Sequence, residues 1–98
     1  YGYAAGGYST AVVATGDRIT FSTGVTAAST GNNLSAARND TTTFSDGNTY
    51  GYSAGGYSTA RMTTTDRTTF ATSTTAAYTT GNMLTARTSA AGLSDGAV

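Results

Sequence analysis

The chain has 98 residues, and its five arginines balance five aspartates to leave no net charge. Cys, His, Lys, Glu, Gln, Pro and Trp are all absent, so the usual general bases, soft metal ligands and activated nucleophiles are missing, and neither an enzyme nor a metal or cofactor site is expected. No basic run exists to hold phosphate and no apolar stretch is long enough for a bilayer, so nucleic-acid binding and membrane insertion are not expected.

Ala, Thr, Ser and Gly supply 63 residues, and Leu, Ile, Val and Phe only 11. Such low hydrophobicity accompanies disorder when net charge is high, a condition this neutral chain does not meet. Twenty-three threonines, seven tyrosines and three phenylalanines favour pleated backbone, where β-branched and aromatic side chains pack well. The expected fold class is all-β. Residues 1–49 align without a gap on residues 50–98, with 26 of 49 positions identical. A fixed period of this length marks a supersecondary unit that buries its apolar face only against a neighbouring copy.

Each unit opens on a strand with tyrosines at alternate positions, Tyr1 and Tyr3 or Tyr50 and Tyr52. A glycine pair, Gly6 and Gly7 or Gly55 and Gly56, turns the chain sharply out of it. A second strand spans 15–21 or 64–70; its alternation puts Asp17, Ile19 and Phe21 on one face and Arg18 and Thr20 on the other. The adjacent Asp17 and Arg18, like Asp66 and Arg67, therefore meet different neighbours. A turn at 22–24 or 71–73 leads to a third strand over 25–29 or 74–78, and a Gly-Asn loop leads on to a fourth starting near Arg38 or Arg87. The turn Ser45, Asp46 and Gly47, or Ser94, Asp95 and Gly96, closes a hairpin back to the next aromatic strand. Four short strands per period are the anatomy of a propeller blade.

An aromatic strand ending in Gly-Gly, a strand ending in an aromatic, a loop before an Arg, a small-residue strand and an Asp-Gly hairpin, in that order, resemble the kelch repeat, twice over the whole chain. The family's outer-strand Trp is replaced by Ala27 and Ala28 or Ala76 and Ala77, and its Pro before the Arg is missing. The Gly-Tyr, Gly-Gly-Tyr and Asp-Arg flavour also resembles tandem-repeat proteins of aquatic bacteria and their phages. The resemblance implies two kelch-like β-propeller repeats, 1–49 and 50–98, with one complete blade over about 36–84 and the terminal strands shared with other copies.

A propeller ring usually needs about four to eight blades, so two repeats do not close one. The expected object is a head-to-tail homo-oligomer, the strand near Arg87 to Leu93 of one molecule pairing with Tyr1 to Ala5 of the next. An open filament and a longer tandem array are the alternatives. The expected function is a non-enzymatic structural module that builds a ring, fibre, or virion or cell-surface appendage, placed outside the cell; the alternative is a lectin-like propeller that binds glycans. By the same resemblance Arg38 and Arg87 stand near the ring mouth, where they either contact ligand or tie adjacent blades together. Tyr8 and Tyr57 are either platforms for sugar rings or packing groups. Asn33 and Asn39 begin the glycosylation triplets Asn33-Leu34-Ser35 and Asn39-Asp40-Thr41, neither of which recurs in the second unit.

Overall fold

The computed structural model describes residues 1–95. They form seven strands, β1 (Gly2–Ala5), β2 (Gly16–Thr20), β3 (Val25–Ala28), β4 (Thr42–Ser45), β5 (Tyr50–Ala54), β6 (Thr65–Thr69) and β7 (Thr74–Ala77), with 3-10 turns at Thr30–Asn32 and Thr79–Gly81. The strands build two antiparallel sheets, β1-β2-β3 and β4-β5-β6-β7. No helix among the described residues is long and apolar enough to cross a membrane.

The two sheets share one register. Tyr3 faces Arg18 and Arg18 faces Ala27 in the first; Tyr52 faces Arg67 and Arg67 faces Ala76 in the second. Positive-φ backbone recurs at the turn into the third strand, at Gly24 and its counterpart Ser73. Each 3-10 turn is followed by an asparagine that satisfies a strand donor: Asn33 Oδ1 accepts from Gly16 N–H at 2.8 Å and Asn82 Oδ1 from Thr65 N–H at 3.0 Å. Gly16 and Thr65 are buried, so these two asparagines meet the demand that a buried amide find an acceptor.

Two sequence expectations need correction. Residues near Arg38 form a loop, and β4 begins only at Thr42, because Arg38 gives its backbone to the loop between β1 and β2: its N–H donates to Val13 and its carbonyl accepts from Gly7. The matching stretch after Arg87 is not a strand. It runs beside β4, with Ser89 N–H donating to Asp40 and Thr42 Oγ1 donating to the Ala90 carbonyl at 2.6 Å. β4 is a strand because the hairpin at Asp46 returns β5 along its edge; residues 91–93 form no strand. The second hairpin turn, at Ser94, Asp95 and Gly96, lies partly outside the described residues.

The interior is small and largely polar. Leu34 and Ala54 are the buried hydrophobic residues among those described, beside buried Asn32, Arg38, Thr42, Thr65 and Asp66. A chain so poor in aliphatic side chains holds its sheets together through directional contacts, and the face between them is where those contacts concentrate.

Candidate functional site: the face between the repeats

Strand alternation sorts the residues of each sheet. In the second sheet Gly51, Ser53, Asp66 and Thr68 look toward the first sheet, while Tyr50, Tyr52 and Arg67 look away. The first sheet presents the equivalents of the latter set, Tyr1, Tyr3 and Arg18, to the second. The Tyr3 ring stacks on Phe70 with centroids 6.0 Å apart, and its hydroxyl shares a hydrogen bond with Ser73 Oγ at 2.9 Å. Arg18 Nη1 donates to the same Ser73 oxygen at 3.1 Å, and Asn32 Nδ2 donates to Thr75 Oγ1 at 3.4 Å.

Arg38 is the centre of this contact. Its backbone belongs to the first repeat through Val13 and Gly7, but its side chain enters the second, where Nη2 lies 3.3 Å from Asp66 Oδ2 and donates to the Ser53 carbonyl at 3.0 Å. Asp66 Oδ2 also accepts from Ser35 N–H at 2.8 Å. Both side chains are fully removed from solvent. Arg38 Nε and Nη1 and Asp66 Oδ1 have no hydrogen-bond partner, so the pair is poorly supplied with secondary bonds and depends on its own attraction.

The expected site residues end in different settings. Arg38 ties the repeats together, whereas Arg87 is exposed. The backbones carrying them are nevertheless alike: Gly7 N–H donates to the Arg38 carbonyl and Gly56 N–H to the Arg87 carbonyl. Tyr8 is 68% and Tyr57 44% exposed; each begins a small loop that folds back on itself, bridged to Val12 and Arg61 respectively. Asn33 spends its carbonyl oxygen on Gly16, and Asn39 pairs its backbone with Tyr57 on both sides. The structure brings Asn39 to Tyr57, and the Arg87 backbone beside them through the bond from Gly56 N–H, while Tyr8 stands in the equivalent loop next to the Gly7 that bonds Arg38.

Sequence reasoning did not name Asp66 as the partner of Arg38. The available signal was that both residues recur at fixed phase, which Arg18 and Asp46 also do, so recurrence alone does not select this pair. Asp46 is a turn residue: its Oδ1 accepts from the N–H groups of Asn48, Thr49 and Tyr50, and the bonds from Tyr50, Asn48 and Thr49 hold its pKa below the ordinary value. Two further arginines, Arg18 and Arg67, serve aromatic rings. Arg18 lies 4.1 Å from the Tyr1 centroid, and Arg67 lies 4.2 Å from that of Tyr50 and 4.1 Å from that of Tyr78. Among the described residues no group of three or more His, Cys, Asp or Glu is placed to hold a metal ion.

Comparison with models of known protein families finds no match, and no curated protein matches the chain.

Proposed function

We propose that this chain is a non-enzymatic structural module, a pair of kelch-like β-propeller blades that associates head to tail with its own copies into a ring, fibre or surface appendage outside the cell. The observation that carries this reading is the contact between the repeats. Its chemistry is directional, with a buried Arg38 on one partner and a buried Asp66 on the other, and the repeat period supplies each half again on the outer side of the opposite repeat, as Arg87 and Asp17. A surface that reads one way on one side and the complementary way on the other propagates heterologously, closing into a ring where the rotation permits and extending as a filament where it does not. Sedimentation equilibrium across micromolar to millimolar concentrations, followed by negative-stain imaging, tests it: discs or filaments are expected, and a strictly monomeric chain refutes it.

A second reading, a lectin-like propeller, draws on the exposure of Tyr8 and Tyr57 at equivalent positions. An exposed aromatic ring offers an apolar face with a polar rim to a sugar, and repetition around an assembly multiplies a weak site. Titration with soluble glycans separates the two readings, since assembly is expected to survive Tyr8→Ala and Tyr57→Ala while sugar binding is not.

A further inference from the structure

The first sheet has three strands where the second has four, and the outer edge of β1 pairs with no described strand. Beside that edge runs a groove of about 350 Å³, lined among others by Tyr1, Tyr3, Leu34, Phe44, Tyr52 and Phe70. On the outward face of the first sheet Asp17 stands exposed on β2 opposite Ala4 and Ala28, in the register that buried Asp66 occupies opposite Ser53 and Ala77. Phe21, the counterpart of Phe70, is 69% exposed on the same sheet. In the second repeat Arg87 is exposed, its carbonyl accepting from Gly56 N–H as that of Arg38 accepts from Gly7 N–H, and Leu93 beyond it is 89% exposed.

We propose that residues 91–93 of a second copy of this chain add to the free edge of β1 as its fourth strand, while Arg87 of that copy pairs with Asp17. The inference rests on the self-assembly reading and specifies its partner and register. β4 supplies the register. Thr42 faces Ala54, Thr43 faces Ser53 and Phe44 faces Tyr52, so the repeat period sets Ala91 opposite Ala5, Gly92 opposite Ala4 and Leu93 opposite Tyr3. Phe44 stacks on Tyr52 at 5.3 Å; Leu93 takes the same place on Tyr3 and enters the groove. Arg87 then meets the Asp17 carboxylate and the Ala4 carbonyl as Arg38 meets Asp66 and Ser53, and Leu84 N–H meets Asp17 as Ser35 N–H meets Asp66. Tyr52 covers Phe21 as Tyr3 covers Phe70.

Charge complementarity selects this occupant over an unrelated strand. An open edge accepts any extended peptide through its backbone, but a lone buried Asp17 is costly without a cation held at the matching depth. The junction is weaker than the contact inside the chain, because Ser73, which receives Tyr3 and Arg18, is replaced at the equivalent position by Gly24. Association is therefore reversible and concentration-dependent.

Charge reversal tests the register. Asp17 and Arg87 are both exposed in the single chain, so Asp17→Arg and Arg87→Asp leave its circular dichroism unchanged. Each variant alone is expected to lose about 100-fold in self-association by sedimentation equilibrium. A mixture of the two regains it, because one kind of junction then restores the native pair and the other the reversed pair. A second readout is independent of charge. The chain has no cysteine, so mixing a Tyr3→Cys chain with a Leu93→Cys chain under mild oxidation gives a disulfide-linked dimer only where these positions meet. If the wild type associates but the reversed variants associate equally well and no linked dimer forms, the register is overturned and self-assembly stands. If the wild type stays monomeric at every concentration, both fall.

Discussion

Removing Arg38 breaks the buried ion pair with Asp66 that ties the first repeat to the second. At the observed 3.3 Å separation the attraction is about 5 kcal/mol for an effective dielectric of about 20, and much of it offsets the cost of taking both groups out of water. Arg38→Ala withdraws that attraction and leaves Asp66 buried with Ser35 N–H as its remaining donor, so a loss of about 3–5 kcal/mol is expected. Against a total stability of about 5–15 kcal/mol for a domain of ordinary size, this is close to unfolding. Urea denaturation checks it directly, and the midpoint of thermal unfolding should fall by roughly 12 °C or more at about 4 °C per kcal/mol. Replacing both partners, Arg38→Met with Asp66→Leu, removes the stranded charge and should recover most of the loss. A cost below about 1 kcal/mol for Arg38→Ala, the worth of an exposed ion pair, would refute the reasoning, as would a double variant no more stable than the single one.

Two further substitutions probe the local geometry. Gly6 and Gly24 both have φ near +70°, but a Cβ on Gly6 would stand 2.8 Å from the Arg38 carbonyl and 2.6 Å from Leu34 Cδ1, whereas one on Gly24 meets nothing within 4 Å. Gly24→Ala should cost only the left-handed strain of about 1–2 kcal/mol, and Gly6→Ala measurably more in the same urea experiment; equal costs would show that the Arg38 loop yields freely. Asp46 has a lowered pKa because its charged form accepts backbone N–H bonds, first from Tyr50 and then from Asn48 and Thr49. Its contribution is complete above the ordinary carboxylate range and disappears as pH falls through the lowered value. Carboxyl titration by NMR should place its midpoint below that of a free aspartate, with amide exchange at Asn48, Thr49 and Tyr50 accelerating at the same pH and in Asp46→Ala at all pH values. A midpoint at or above the free value would count against the turn geometry.

Much of the architecture was legible because strand chemistry is local. Alternating Tyr1 and Tyr3, the glycine doublets and the Ser45-Asp46-Gly47 hairpin predict elements that form within a residue or two of the expected limits. The strand expected after Arg87 failed for a non-local reason. Its sequence resembles that of β4, but a strand exists only where a partner edge satisfies its backbone, and the hairpin that brings β5 to β4 has no described counterpart there. The candidate site was half legible: the recurrence of Arg38 and Arg87 marked them, yet which of the two is buried, and which aspartate receives it, depends on how the sheets stack.

By itself the order of residues determined the β class, the 49-residue period and the positions of the turns, since each follows from short-range backbone preference and side-chain alternation. Only the packing of one sheet on the next decided that Arg38 and Asp66 lie buried against each other while their counterparts Arg87 and Asp17 remain exposed. Identical residues thus have unlike fates because burial is a property of the neighbouring surface, and within one chain of two repeats that surface is present on one side only.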